Sequence, residues 1–205
     1  MYPSRNADAK GTEPEFQSFA KAGGLLSGLC PDDWEESSYK IDYRSLYRAG
    51  FRLAAFDIDN TLVRHNAPAD EKSGKLFREL REMGFAVCLI SNNREPRVKS
   101  FADAVNAFYV FKAGKPSGRG YLEACGKAGC RVSEMIFVGD QIFTDIWGAR
   151  RAGARCILVN PIHPAEEIQI ILKRRLEWLV LAVYRRGLKR MGKKNIPSIG
   201  FQEKK

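Results

Sequence analysis

Short apolar runs alternate along the chain with longer stretches in which apolar residues recur at helical spacing. Uninterrupted apolar runs are typical of strands in a parallel sheet that is covered on both faces. The runs predict five strands, at residues 53–56, 85–90, 108–111, 135–138 and 155–159. Strand and helix therefore alternate, which predicts an α/β fold built on a doubly wound parallel sheet.

The stretches between the strands predict helices. They lie at residues 41–50, 70–83, 95–105 and 117–128, and a short one around Asp145 ends near Gly153. Ser117 is expected to cap the fourth helix, because a serine oxygen can accept from the free N–H groups of a first turn. The polar segment 32–37 is expected to form a turn or a short helix.

Two carboxylates follow the first predicted strand directly, in the sequence Asp57-Ile58-Asp59-Asn60-Thr61. Side chains at positions i and i+2 of a strand point to the same side, so Asp57 and Asp59 are expected to converge where the strand ends. Like charges this close are unfavourable unless a cation, a shared proton or hydrogen-bond donors compensate them. Taken alone, the stretch fits an Asx-rich turn equally well.

Polar side chains also follow the other predicted strands. They are Ser91 and Asn92 after the second strand, Lys115 in the loop after the third, Asp140 after the fourth, and Asp145 shortly beyond it. The carboxyl ends of parallel strands meet at one edge of the sheet, where open α/β sheets bind their ligands. A hydroxyl, an ammonium group and several carboxylates at one edge have the composition of a phosphate site.

Composition and charge divide the chain into three parts. A chain of 205 residues that is 44% hydrophobic can bury one sizeable core, which we place at residues 23–165. Residues 1–22 have few apolar side chains and are expected to be flexible. Residues 166–205 are predicted to form a basic amphipathic helix and tail, because the stretch 161–205 has eleven Lys or Arg against four Glu. An anionic partner is therefore expected to meet the C-terminal part first.

Cysteine usage and hydropathy favour a cytoplasmic protein. The five cysteines are odd in number and have no metal-ligand spacing, which predicts reduced and mostly buried thiols. No apolar run approaches the length of a membrane span, and the first residues lack the apolar core of a signal peptide.

In order, the strand ends match the four motifs of the haloacid dehalogenase (HAD) phosphatase superfamily. These motifs are D-x-D-x-T, a Ser or Thr, a Lys, and G-D-x-x-x-x-D. Here they are DIDNT at 57–61, Ser91 in LISNN, Lys115 in GKP and GDQIFTD at 139–145. Over residues 30–165 the chain more narrowly resembles the YqeG-type family (HAD class IIIA), and it is similar to the mitochondrial phosphatidylglycerophosphate phosphatases. The resemblance implies the HAD-like Rossmannoid three-layer fold.

The resemblance also implies a role for each matched residue. Asp57 corresponds to the nucleophile that forms an aspartyl phosphate, and Asp59 corresponds to the general acid and base. Asp57, the main-chain carbonyl of Asp59, and Asp140 correspond to ligands of Mg²⁺. Ser91 and Lys115 correspond to the groups that hold the transferred phosphoryl oxygens.

Three further residues are expected to support this site. Thr61 is expected to brace the nucleophile loop. Asp145 either assists the metal through water or orients Lys115. Asn92 either contacts the substrate phosphate or shapes the turn after its strand.

The spacing of the motifs leaves no room for the cap domain with which many HAD phosphatases select substrates. About thirty residues separate Thr61 from Ser91, and a loop, a helix and a strand fill them. An open site favours a large substrate, or an oligomer in which a second subunit covers the site.

The C-terminal helix leaves three interpretations open. Apolar residues recur at helical spacing among basic ones, at Ile168, Leu172, Leu176, Leu179 and Val183. Such a stripe either packs on its own domain or lies on an anionic membrane surface, here through residues 166–194 at the inner membrane face, with Trp178 and Tyr184 at the interface. Alternatively, the basic cluster 189–194 binds RNA phosphates.

Together these observations predict a capless, Mg²⁺-dependent phosphomonoester hydrolase, with phosphatidylglycerophosphate as a candidate substrate. One alternative is a phosphatase of a nucleotide, a sugar phosphate or an RNA end. Another is a ribosome- or RNA-associated binding protein that keeps the fold. Asp57 and Asp59 argue against the last alternative, because a pure binding protein needs neither.

Overall fold

A six-stranded sheet forms the centre of the protein. The computed structural model describes residues 26–163, 168–192 and 196. The strands are β1 (Asp33–Glu35), β2 (Leu53–Phe56), β3 (Ala86–Ile90), β4 (Phe108–Val110), β5 (Met135–Gly139) and β6 (Arg155–Val159). All pairings are parallel, in the order β1-β6-β5-β2-β3-β4. The predicted α/β fold with a central parallel sheet is confirmed. The segment 1–22 and the end of the tail lie outside the described residues.

Helices cover both faces of the sheet. They are α1 (Tyr43–Arg48), α2 (Glu71–Glu82), α3 (Glu95–Val105), α4 (Arg119–Ala128), α5 (Trp147–Ala152) and α6 (Ile168–Arg190). Successive residues of β2 point to opposite faces, so Leu53 and Ala55 join the core under α4, α5 and α6, whereas Ala54 and Phe56 join the core under α1, α2 and α3. Three layers result, as predicted.

Most predicted elements agree with the structure to within two residues, but β1 was missed. The segment 32–37 contains an edge strand that pairs with β6, where a turn or short helix was expected. The acidic residues of this segment made it resemble a turn, because the groups that pair with them are distant in the sequence. Asp32 accepts hydrogen bonds from Arg150 (3.0 Å) and from the N–H of Cys156 (2.9 Å), and Asp33 forms an ion pair with Arg155 (2.6 Å).

The fourth helix begins later than predicted. Gly118, not Ser117, occupies the N-cap position of α4, and no side chain caps this helix. The hydroxyl of Ser117 accepts instead from the N–H of Arg119 at 3.3 Å, within the preceding turn.

The thiols agree with the prediction that they are reduced and mostly buried. All five cysteines are free, and four are buried. Burial raises the pKa of Cys30 to about 11 and that of Cys88 to about 12, so both thiols stay protonated at neutral pH. Among the described helices, none is both long and apolar enough to cross a bilayer.

The connections around the site contain no additional domain. Residues 61–91 are all described and form a loop, α2 and β3, while residues 91–115 form α3, β4 and short loops. The prediction of a capless fold is confirmed.

Helix α6 packs on the domain through residues outside the predicted stripe, of which Ile168, Leu172 and Leu176 lie outside the described side chains. Val180, Leu181, Tyr184 and Leu188 are buried against the core. Tyr184, which the membrane interpretation alone placed at an interface, is fully buried and donates a hydrogen bond to the carbonyl of Pro31 (3.0 Å). Leu179 is 56% exposed and Val183 41% exposed. Apolar residues lie on both sides of this helix, so spacing alone does not identify the packed side.

Two glycines of α4 provide a matched test of the packing that places the Lys115 loop. A Cβ at Gly120 would lie 2.7 Å from the Cβ of Ala113, whereas a Cβ at Gly126 would have no neighbour within 4 Å. We predict that Gly120→Ala lowers the free energy of unfolding by about 1–3 kcal/mol through overpacking. Gly126→Ala should raise it by up to about 1 kcal/mol through helix propensity. Urea unfolding of both variants measures this, and equal effects would contradict the close approach.

Candidate active site

The sheet brings the strand-end residues to one edge. The N–H of Asp57 continues the β2–β5 ladder by donating to the carbonyl of Val138 (3.0 Å), and the N–H of Ser91 donates to the carbonyl of Val110 (3.0 Å). Asp57, Ser91 and Asp140 are all buried, with at most 7% exposure. These residues therefore follow the carboxyl ends of β2, β3 and β5, as the sequence predicted, and their roles in binding stay predictions.

Lys115 lies between two carboxylates at this edge. Its ammonium group donates to Asp57 Oδ1 at 2.5 Å and to Asp145 Oδ1 at 2.7 Å. Burial acts to lower the pKa of Lys115, but the charges of Asp145 and Asp57 outweigh it and hold that pKa above its ordinary value. Of the two roles left open for Asp145, the structure shows the contact that orients Lys115.

Asp57 has an excess of negative charge around it. Burial raises the pKa of Asp57 to about 8; Lys115 opposes this rise, while Asp145 and Asp140 add to it. A second positive charge at the site would lower this pKa and keep the carboxylate ionised at neutral pH. The ammonium group of Lys115 therefore does not fully offset the effect of burial and of the neighbouring acids on Asp57.

The acids are arranged for a divalent cation. Asp57, Asp140 and Asp145 each offer a carboxylate oxygen within 4.8 Å of the others, and all three are buried. The hydroxyl of Thr61 donates to Asp140 Oδ1 (3.1 Å), and its role in bracing the nucleophile loop stays a prediction. Buried carboxylate oxygens with one partial counter-charge fit a hard ion such as Mg²⁺.

Gly139 allows this arrangement to form. A Cβ at Gly139 would lie 2.6 Å from the Cβ of Asp145, a distance that side chains do not adopt. Asp145 approaches the main chain so closely that its Oδ2 accepts from the N–H of Gln141 at 3.1 Å. A glycine is therefore needed at this position of the GDQIFTD motif because Asp145 lies so close, and not because the backbone turns there.

The carboxylate of Asp59 is directed to a different set of partners. Its Oδ1 accepts from Arg97 (3.0 Å) and from the N–H of Asn66 (2.8 Å), and its Oδ2 accepts from the side-chain amide of Asn93 (2.6 Å). The prediction for the metal concerned the main-chain carbonyl of Asp59, and it stays a prediction. Arg97 was not predicted from the sequence. Only its position in the first turn of the helix after the Ser91 loop could have indicated it.

Asn92 fixes the main chain of Lys115. Its amide donates to the carbonyl of Lys115 (3.1 Å), and its Oδ1 accepts from the N–H of Lys115 (2.8 Å). The two loops of the site are thereby joined through one side chain. This contact favours a positioning role, and direct phosphate binding by Asn92 or Ser91 stays a prediction.

Comparison with known proteins identifies the family. The model of the haloacid dehalogenase-like hydrolases matches residues 65–153. The probable phosphatase YqeG of Bacillus subtilis is 30% identical over 163 residues, which are 79% of this chain and 95% of that protein. The chain belongs to the HAD hydrolases and is a YqeG-type phosphatase. The family predicted from the motifs is confirmed.

Two further relatives of this YqeG-type phosphatase come from photosynthetic eukaryotes. Phosphatidylglycerophosphate phosphatase 1 of Arabidopsis thaliana is 31% identical over 168 residues, which are 73% of this chain and 46% of that protein. Phosphatidylglycerophosphate phosphatase 1 of Chlamydomonas reinhardtii is 32% identical over 170 residues, which are 78% of this chain and 63% of that protein. The matched regions thus span less than two thirds of either relative.

The contact between Arg97 and Asp59 can be tested with a matched pair of variants. If Asp59 is the general acid, Arg97→Met should lower kcat about 10-fold or more, because an acid acts only when it is correctly placed. Arg94→Met removes the same charge from an exposed position three residues away and should leave kcat within about twofold. Steady-state kinetics on an aryl phosphate measure both. A raised KM with unchanged kcat for Arg97→Met would instead place Arg97 on the substrate.

Proposed function

We propose that this YqeG-type phosphatase is a Mg²⁺-dependent phosphomonoesterase that acts through an aspartyl phosphate on Asp57. The observation that carries the proposal is the buried group in which Lys115 bridges Asp57 and Asp145, with a carboxylate oxygen of Asp140 within 4.8 Å of theirs. Such a group provides a nucleophile, a fixed positive charge and metal-binding oxygens at one place.

The reaction follows from these placements. A carboxylate oxygen of Asp57 attacks phosphorus, the bond to the leaving oxygen breaks, and Asp59 gives that oxygen a proton. Lys115 and Ser91 hold the phosphoryl oxygens, and Asp59 then takes a proton from the water that hydrolyses the aspartyl phosphate. When bound by Asp57, Asp140 and the carbonyl of Asp59, Mg²⁺ would offset the negative charge of the phosphoryl group.

Arg97 and Asn93 affect the step in which Asp59 gives a proton to the leaving oxygen. They occupy both carboxylate oxygens of Asp59 in the structure, with contacts of 3.0 Å and 2.6 Å. Transfer of a proton to the leaving oxygen requires Asp59 to turn from these partners, or to share them with the substrate. The open, capless edge leaves space for a leaving group beside them.

Phosphatidylglycerophosphate is the substrate we propose. Two relatives carry this activity in their names, and the absence of a cap among residues 61–115 is compatible with a large leaving group. A nucleotide, a sugar phosphate or an RNA end is the alternative within the same chemistry.

The outer side of α6 supports a lipid substrate. Trp178 is 50% exposed, and it shares the exposed part of the helix with Leu179 and Val183. Arg186 and Lys189 are exposed on the same helix. Exposed apolar and basic side chains on one helix are typical of contact with an anionic membrane surface. We therefore propose peripheral contact with a membrane through α6, on the cytoplasmic side, in preference to RNA binding.

The catalytic part of the proposal predicts a strict requirement for Asp57. Asp57→Asn removes the nucleophile with little change in size, so hydrolysis of an aryl phosphate with Mg²⁺ should fall at least about 10³-fold. The wild type, quenched in acid during turnover, should carry a covalent phosphate on Asp57 that mass spectrometry detects.

Asp42→Asn is the control for this substitution. It makes the same change at an exposed acid, where Asn can cap α1 as Asp does. Equal rates for Asp57→Asn and the wild type, or no hydrolysis by the wild type with any divalent metal, would contradict the catalytic proposal.

The proposed lipid substrate predicts that substitutions on the exposed side of α6 affect hydrolysis in vesicles but not hydrolysis of a soluble substrate. Leu179→Gln/Val183→Gln should reduce hydrolysis of phosphatidylglycerophosphate in anionic vesicles about 5-fold or more, because the exposed apolar side chains no longer enter the interface. Hydrolysis of a soluble aryl phosphate should be unchanged, since neither side chain is buried in the core. Vesicle cosedimentation of the same variant provides the binding measurement.

Three outcomes would contradict the lipid proposal. The first is far faster hydrolysis of soluble nucleotides or sugar phosphates than of the lipid by the wild type. The second is equal cosedimentation of the wild type with neutral and anionic vesicles. The third is full vesicle activity in the double variant.

A further inference from the structure

Among the described side chains of α6, from residue 177 onward, one charged residue is buried. Glu177 is 5% exposed and lies one turn before the apolar residues that anchor the helix. Its Oε1 accepts hydrogen bonds from the N–H of Ile142 (2.8 Å) and from the N–H of Phe143 (3.4 Å). These two N–H groups belong to a single turn of π-helix, Ile142–Ile146, within the GDQIFTD motif.

The N–H groups at the start of a helix have no partners within it. The side chain of Gln141, at the N-cap position, makes no capping hydrogen bond to this turn. Glu177, 35 residues along the chain, supplies the acceptor, and its negative charge suits the positive end of the turn. A buried carboxylate is unfavourable in an apolar face without such donors, so packing alone would favour a residue like Leu or Met here.

A second carboxylate holds the same turn from the other side. Asp145 Oδ2 accepts from the N–H of Gln141, while Asp145 Oδ1 accepts from Lys115. The peptide groups of residues 141–143 are thus fixed between Asp145 inside the site and Glu177 outside it. Asp140 directly precedes them, and its position depends on theirs.

We propose that Glu177 is a positioning residue that fixes the Asp140–Asp145 turn for metal binding and so makes α6 part of the active site. The inference rests on the proposed magnesium site. Glu177 acts through the main chain of Ile142 and Phe143 and touches neither the phosphate nor the metal.

Glu177→Met tests the proposal in the full-length protein, because it removes the acceptor at similar size. Calorimetric titration with Mg²⁺ should give a Kd raised at least about 5-fold. Steady-state kinetics on an aryl phosphate at saturating Mg²⁺ should give a kcat lowered about 10-fold with KM within twofold. Hydrogen exchange of peptides covering residues 140–146 should become faster.

Two variants separate this role from simple packing. Glu177→Gln keeps an oxygen acceptor and should keep the Mg²⁺ Kd within about twofold. Tyr184→Phe removes the hydrogen bond to Pro31 from the same face of α6 and should leave both the Kd and the exchange of 140–146 unchanged.

The proposal is overturned if Glu177→Met leaves Kd and exchange unchanged, or if Tyr184→Phe weakens Mg²⁺ binding equally at the same loss of thermal stability. Should Glu177→Met fail to fold, Glu177→Asp keeps the charge but shortens the side chain, and normal exchange of 140–146 in that variant overturns the proposal as well. The exchange measurement does not depend on turnover, so it separates failure of this inference from failure of the proposed phosphatase mechanism.

Discussion

The buried ammonium group of Lys115 determines how the rest of the site is arranged. A lysine with 8% exposure is stable in its charged form only beside carboxylates, and Asp57 and Asp145 supply them at 2.5 and 2.7 Å. Conversely, three buried carboxylates at one sheet edge need a positive charge. Neighbouring residues hold these groups in place. Asn92 binds the main chain of Lys115, and Gly139 leaves room for the side chain of Asp145.

Lys115 does not fully offset the negative charge that the described acids place around Asp57, and this imbalance connects the fold to the chemistry. The remaining negative charge contributes to the raised pKa of Asp57 and favours a divalent cation at the site. It would also repel an unaccompanied phosphate. The strand order produces this imbalance, because β2 lies between β3 and β5. Asp57, Ser91 and Asp140 follow the carboxyl ends of these three strands and so lie at one edge of the sheet.

Features encoded locally could be predicted from the sequence, and those that need distant partners could not. The strand ends followed from uninterrupted apolar runs, so Asp57, Ser91, Lys115 and Asp140 could be placed at one edge. Strand β1 was missed because the acidic residues at its start, Asp32 and Asp33, pair with arginines more than 100 positions away. The buried side of α6 was misassigned because apolar residues surround that helix. The contacts of Arg97 and Glu177 could not be predicted, since no local pattern marks them.

Helix α6 therefore has two faces with different consequences for activity. Its packed face carries Glu177 to the turn that holds Asp140 and Asp145, while its outer face exposes Trp178 and Leu179. Deleting the C-terminal part of the chain would remove both faces together. Loss of activity after such a deletion would be expected even if the helix never met a membrane, because the turn would lose its acceptor. Only substitutions confined to one face can separate catalytic support from surface contact.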